Sequence, residues 1–297
     1  MTAVEESHSP PCRICGAATE RVGPVHGKYS ARDYELRRCP RCHFAFIADP
    51  WTEFERIYDE RYYEGKGADP LVDYGYELTE PGRTVRGYEW RGVTHVVERL
   101  LGGLAGVRWL DFGCGNGGLV RYVREHSDAQ ASGFEEGAIA ATAQGLGIPV
   151  LSRQSLTEQS GSYDVVTAIE VLEHTLDPLA ELRTIRKLLR KGGLLFLTTG
   201  NAAPFASDLR RWPYVIPEIH VSFFEPDTLR RAFAESGFRP GDIPAGDGFD
   251  EILKFKVLKN LRIRRRSWLT DLIPARAVAA PADRRVRLRQ HPVGWAV

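Results

Sequence analysis

The spacing of apolar and polar positions changes several times along the chain, and each change marks an element. Between 83 and 101, Val85, Tyr88, Val93, Val96, Val97, Leu100 and Leu101 recur at near-helical spacing, which predicts a helix ended by Gly102 and Gly103. A buried strand over 107–111 follows, then a glycine-rich turn over 112–118 and a helix with Leu119, Val120 and Val123 inward. Further strands are predicted at 131–134, 148–151, 163–169 and 194–198. Asp177 and Pro178 open a helix whose Leu179, Leu182, Ile185, Leu188 and Leu189 share one face, with Arg190 and Lys191 in its last turn and Gly192 as its stop. Another helix is expected over 226–236. Strands alternating with helices predict an α/β fold, an open and mainly parallel sheet with helices on both faces, whose ligand lies at the carboxyl ends of the strands.

Residues 47–90 lack this periodicity but hold Trp51, Phe54, Tyr58, Tyr62, Tyr63, Tyr74, Tyr76, Tyr88 and Trp90. So many rings must pack on something: either they form a lid, with Tyr62 or Tyr63 near a bound small molecule, or they join the amino-terminal region to the main domain. Four parts result: 1–46, an aromatic-rich linker or lid at 47–82, the α/β domain at 83–245, and a basic extension at 246–297. The 297 residues are 43% apolar and 27% charged with a net charge of +1, so a core can form and no overall field draws the molecule to nucleic acid or lipid. The acidic, polar start and the lack of any run approaching roughly 18 apolar residues argue against a signal peptide or a transmembrane segment and lead to a cytoplasmic expectation.

In a reducing compartment, regularly spaced cysteines are first read as ligands. Cys12 and Cys15 form one CxxC, Cys39 and Cys42 a second, with 23 residues between the pairs. Two such turns supply the tetrahedral four-thiolate shell that Zn2+ prefers, closed to water and therefore structural. A redox dithiol or two disulfides are the competing readings, and His43 is a spare donor beside a complete set.

The turn after the strand at 107–111 carries Gly113, Gly115 and Gly117, which allow close approach of a ligand, and the helix behind it offers free N–H groups to an anion. Gly113, Gly115 and Gly118 also satisfy GxGxxG, so the turn alone admits a dinucleotide. Asp111, directly before the turn, is poorly placed beside a pyrophosphate and well placed to receive an amino group, which favours S-adenosylmethionine over NAD. Glu135, closing the next strand, can accept both ribose hydroxyls, with Glu136 as its possible confusion; Ser155 and Leu156, after Gln154, fall where an adenine would be flanked. Glu170, Glu173, His174, Thr199 and Asn201 would share the same edge. His220 and His174 are candidate general bases, each against a structural alternative, with His220 preferred because it precedes a new helix on the side open to substrate. Cys114 reads as a small residue of the turn.

The segments LDFGCGNGG, GFEEG and YDVVTAIEVLEHTLDPLAELRTIRKLLRKGGLLFLTT resemble the successive signatures of class I S-adenosylmethionine-dependent methyltransferases across 107–240. The resemblance extends to ubiquinone-type O-methyltransferases and bacterial sugar or natural-product enzymes, some of which begin with a four-cysteine zinc module. It implies a Rossmann-like domain preceded by a zinc-ribbon-like module, methionine contacts at Asp111, Gly113 and Glu170, and ribose contacts at Glu135. Neither a Pro-Cys pair after the fourth strand nor an NPPY-like or DPPY-like segment is present, which argues against methylation of DNA bases.

From 253 to 297 there are twelve Lys or Arg and two acids, densest in LKNLRIRRRSWL. This patch suits a phosphorylated or carrier-linked small molecule, RNA or an anionic membrane surface; a solvated charged helix with a loose end is the alternative. Methyl transfer to a small-molecule oxygen, nitrogen or carbon is the leading expectation. The alternative is an RNA or protein methyltransferase that grips its macromolecule with the zinc module and tail.

Overall fold

The computed structural model describes residues 9–53, 56–57, 63–64, 66, 73–241 and 248–275. Phe54, Tyr58 and Tyr62 of the aromatic segment, and the tail beyond 275, lie outside them. Five parallel strands, β4 (Arg108–Phe112), β5 (Gln130–Phe134), β6 (Val150–Leu151), β7 (Tyr163–Ile169) and β8 (Leu189–Thr198), form one sheet in the order β6-β5-β4-β7-β8. The chain steps outward from β4 to β6 and then returns to β4's other side, so the crevice between the carboxyl ends of β4 and β7 is the topological switch point.

Strand alternation divides the interior in two. Trp109, Val165, Leu194 and Phe196 face a core with Val93, Val97, Val120, Val123 and Ile252. Leu110, Phe112, Val166, Ala168, Leu195 and Leu197 face the opposite core, with Leu182, Ile185, Leu229 and Phe233. The first layer is built by helices α2 (Arg86–Leu101), α3 (Gly118–His126) and α8 (Phe249–Asn260), preceded by the short α1 (Tyr74–Thr79). The second is built by α6 (Pro178–Leu188) and α7 (Pro226–Glu235); α4 (Ile139–Gly145) and α5 (Arg153–Thr157) connect the strands on the β6 side.

Asp177 caps α6 as expected, its side chain accepting from the Ala180 N–H. The helix stops at Leu188, earlier than the sequence pattern suggests, and Arg190 and Lys191 belong to β8. Leu189 is extended and pairs with Tyr163, and Arg190 reaches Asp164 at 2.5 Å, so strand pairing takes the turn that helical spacing would have assigned to α6.

The amino-terminal segment folds as β1 (Glu20–His26), β2 (Asp33–Arg38) and β3 (Ala45–Ile47), an antiparallel sheet completed by β9 (Ser222–Phe223) from beyond β8. Cys12, Ile14, Cys39, Phe44 and Phe46 join the same core as Leu110 and Phe112. The cysteine module therefore shares a hydrophobic interior with the α/β sheet.

Candidate functional site

Gly113, Gly115 and Gly117 have φ of 75°, 53° and 75°, a left-handed run that side-chain-bearing residues rarely adopt. A Cβ on Gly113 would stand 2.6 Å from the Val171 side chain and one on Gly117 2.8 Å from Ile148, so space and backbone both require glycine at these positions. Asn116 fixes the turn, its amide donating to the Tyr74 carbonyl at 3.2 Å and to Glu77 at 3.1 Å while its oxygen accepts from the Gly118 N–H at 3.0 Å. The turn is thus clamped between α1 and α3.

Asp111 lies at the floor of this turn, 5% exposed, accepting from the Thr167 hydroxyl at 2.7 Å. Burial pushes its carboxyl up to about 7, with the charges of Glu89 and Glu135 adding to the effect and the Thr167 bond opposing it. A buried acid held this way gains from an incoming cation, such as the ammonium of a methionine moiety. Glu135 accepts from the Gly115 N–H at 3.0 Å through one oxygen and from the Gly137 N–H at 2.7 Å through the other. Each oxygen keeps a second lone pair, which suits a ribose diol. Tyr63 stands over this position: its hydroxyl would meet a Cβ on Gly137 at 2.7 Å, and burial followed by the Glu135 charge pushes its phenol up to about 12. Glu136 instead pairs with Arg153. Ser155 is bonded to the Ser152 cap of α5, and Leu156 is 2% exposed within the core. The residues present therefore fit the ammonium and ribose of S-adenosylmethionine.

At the carboxyl end of β7, Glu170 has φ 55°, an uncommon backbone for glutamate that aims its carboxylate into the crevice region shared with Lys256 and Tyr214. Lys256, from α8, lies 3.2 Å from Glu170 and 3.1 Å from Glu89. Arg86 joins Glu89 at 2.6 Å to Glu77 at 3.4 Å, which completes a largely buried chain of alternating charges from α1 to the half-buried Glu170 after β7. Burial alone would raise the Glu170 carboxyl, but Lys256 and Lys259 outweigh it and hold the group low. Its neighbour Glu173, fully buried and bonded to Thr199 at 2.8 Å, is raised by burial and by the Glu170 charge. The Tyr214 hydroxyl bridges both carboxylates, at 3.3 Å from Glu170 and in close contact with Glu173.

The two histidines come together here. His174 and His220 have ring centroids 4.9 Å apart, and His220 stacks on Tyr214 at 4.0 Å. Nδ1 of His174 faces the Ile219 carbonyl at 2.9 Å and Nδ1 of His220 the Tyr214 carbonyl at 2.6 Å. A carbonyl only accepts, so each Nδ1 carries its proton and Nε2 is the basic nitrogen of each neutral ring. Glu173, His174 and His220 also bring donor atoms within 4.8 Å of one another, an O,N,N set that a divalent cation can use. Thr199 enters through Glu173, while Asn201 accepts from the Ala203 N–H and pairs with Phe224.

Lys256, Arg86 and Tyr214 were not visible as site residues in the sequence. A lysine and an arginine between apolar helical neighbours were the available signal, but only the packing of α8 on α2 turns Lys256 toward Glu170.

In the cysteine module, all four sulfurs lie within 4.8 Å of one another, with Cys12 and Cys42, and Cys15 and Cys39, 3.5 Å apart. These separations exceed a disulfide bond of about 2.05 Å and approach the edge of a tetrahedron with bonds of about 2.3 Å. Each CxxC closes the same way, the N–H after its second cysteine returning to the carbonyl of its first: Gly16 to Cys12 and His43 to Cys39, with φ of 70° and 63°. His43 points to Glu225 at 3.3 Å, so the donor set is four thiols.

A sequence model of the family described as a methyltransferase domain matches residues 85–240. The chain is 37% identical to a ubiquinone biosynthesis O-methyltransferase of Caulobacter sp. (strain K31), over 43% of this chain and 58% of that protein. It is 32% identical to the protein of the same name from Bordetella avium (strain 197N), over 48% and 67%. The chain thus spans less than two thirds of the Caulobacter protein. A solved structure of Haemonchus contortus phospholethanolamine N-methyltransferase 2, in complex with phosphomonomethylethanolamine and S-adenosylhomocysteine, aligns with TM-score 0.49 at 15% identity, covering 85% of this chain and 62% of that one. With the glycine turn, its two flanking carboxylates and the switch-point sheet all falling inside the matched span, the chain belongs to the class I S-adenosylmethionine-dependent methyltransferase family.

Proposed function

We propose that this protein methylates a hydroxyl of a small-molecule acceptor, using S-adenosylmethionine as donor, and that its four cysteines hold a structural Zn2+. The observation that carries the choice of oxygen is the His174–His220 pair, with its basic nitrogens oriented by backbone carbonyls, beside the Glu170–Tyr214–Glu173 cluster at the switch point. A neutral amine needs little help to attack a methyl sulfonium, whereas a hydroxyl must give up its proton.

When bound, S-adenosylmethionine supplies an electrophilic methyl group. Asp111 would receive the ammonium of its amino-acid part, the 113–117 turn its close-lying backbone, and Glu135 its ribose hydroxyls. His220 would accept the acceptor's proton at Nε2, with the imidazolium steadied by the ionised Glu170. His174 and Glu173 pack beside it, their donor atoms within 4.8 Å. Lys256 and Tyr214 fix the two carboxylates, so the acceptor meets a preorganised wall.

The test is His220→Ala assayed with labelled donor against a panel of hydroxylated biosynthetic intermediates. Turnover falls by about 10^2–10^4-fold while calorimetric affinity for S-adenosylhomocysteine stays within about twofold. Unchanged turnover removes His220 from the base role. Adding a chelator and then Mg2+ to wild type asks whether the Glu173–His174–His220 donors act through a cation instead.

A further inference from the structure

The carboxy-terminal helix α9 (Trp268–Leu272) is docked inside out. Thr270 faces the protein at 5% exposed, and the half-exposed Asp271 is held to it at its edge, the Tyr88 hydroxyl donating to Asp271 at 2.7 Å and approaching Thr270 at 3.1 Å. A Ser267–Thr270 capping box closes its amino end, and Lys254 holds the following turn through the Ile273 carbonyl at 2.7 Å. Its apolar side chains face outward, with Trp268 70%, Leu269 57% and Leu272 68% exposed. Leu261, Ile263 and Ile273 extend the patch, so six of the nine large apolar side chains exposed among the described residues fall within thirteen positions. Leaving Trp and Leu side chains clustered in water is unfavourable, and a surface of this kind marks an interaction site.

Charge selects the partner. Arg262, Arg264, Arg265 and Arg266 interleave with these apolar residues, and Arg266 is paired with Asp271 while Arg265 lies over the Tyr76 ring, which ties the basic segment to α1. Between 261 and 297 the sequence has nine arginines and two acids. Self-association through a two-fold interface would set this arginine cluster against its own copy. Nucleic acid would use the arginines and the indole but has no place for Leu269, Leu272 and Ile273. An anionic bilayer uses both, with phosphate headgroups for the guanidinium groups and the acyl boundary for Trp and Leu. The segment lies beyond the residues matched by the family model, so it is a feature of this chain and not of the shared domain.

We propose that residues 261–273 dock the protein peripherally on an anionic lipid surface. The experiment is co-sedimentation of the full chain with vesicles of phosphatidylcholine alone and with about 30% phosphatidylglycerol, alongside a Trp268→Ser/Leu269→Ser/Leu272→Ser variant. Wild type sediments with the anionic vesicles and not the neutral ones, the variant's partition coefficient falls at least about tenfold, and high salt weakens the residual binding. Because the three side chains are exposed, the variant keeps its melting temperature and its affinity for S-adenosylhomocysteine. Three results each overturn the proposal: wild type remaining in the supernatant, equal partition of wild type and variant, or wild type forming a dimer that the variant lacks. Tighter binding to a single-stranded RNA oligomer than to anionic vesicles also overturns it and assigns the patch to nucleic acid.

Discussion

Glu218 tests whether the cysteine module and the acceptor wall are one mechanical unit. It is fully buried two residues before His220, and one carboxylate oxygen accepts from the Tyr29 N–H at 2.9 Å, the Ser30 N–H at 3.0 Å and the Ser30 hydroxyl at 3.0 Å, all in the β1–β2 turn. Burial alone would raise this carboxyl, but the Ser30 and Tyr29 donors outweigh it and leave it low. Hydrogen bonds to a charged acceptor contribute about 1.5–3 kcal/mol each, and the partly exposed turn recovers some of that from water, so Glu218→Ala should cost roughly 2–4 kcal/mol. At about 2–4 °C per kcal/mol for a chain of this size, Tm falls by roughly 4–16 °C in a calorimetric scan. Because the folded group titrates below its unfolded value, this stabilisation is present above the unfolded pKa and is lost as pH falls through the folded one. The gap between wild type and Glu218→Gln therefore narrows on acidification. The tether also holds the 214–221 segment, whose Val221 N–H donates to the Glu173 carbonyl at 2.7 Å while its carbonyl accepts from the Ile47 N–H of β3 at 3.0 Å. Turnover should fall with S-adenosylhomocysteine affinity kept. An unchanged Tm, or a loss of cofactor affinity equal to the loss of turnover, would refute the reasoning.

Asp111→Asn should raise the Tm of the cofactor-free protein above pH 7, because a group whose folded pKa is raised stabilises below its unfolded value and loses that contribution as pH climbs through about 7; calorimetry should show donor affinity falling in the same variant. In wild type, donor affinity should rise between pH 6 and 8 as Asp111 ionises, and a flat profile would exclude it as the ammonium partner. Lys256→Met strands the buried Glu89 and the half-buried Glu170 and should cost about 3 kcal/mol by denaturant unfolding, part of it restored by adding Glu170→Gln. Cys39→Ser should release the proposed zinc, measured by a colorimetric chelator, and lower Tm by several degrees; full metal retention would argue against the four-thiolate site.

Much of the site was legible from local chemistry. A left-handed glycine turn after an apolar strand can only be a backbone that approaches something closely, and acids at the ends of consecutive parallel strands must share one edge. The strand over 163–169 was predicted at the residues where it forms, because an apolar run between polar turns leaves little choice. The end of α6 was not, because helical spacing continued through Leu189 while strand pairing with Tyr163 was invisible in the local pattern. The pairing of His174 with His220 was likewise beyond reach, since 45 residues and the closure of β9 onto β3 separate them in sequence.

By itself, the sequence determined most elements of the α/β domain, the parallel sheet, the glycine turn between its two carboxylates and the four-sulfur donor set, each written in short-range spacing that backbone geometry converts directly into shape. Tertiary structure alone decided what surrounds the two histidines: Lys256 from a helix beyond the matched domain, Tyr214 from an irregular loop, and a β1–β2 turn held by Glu218. Those contacts are long-range, and buried charges take their partners from whichever element the two shared cores bring alongside.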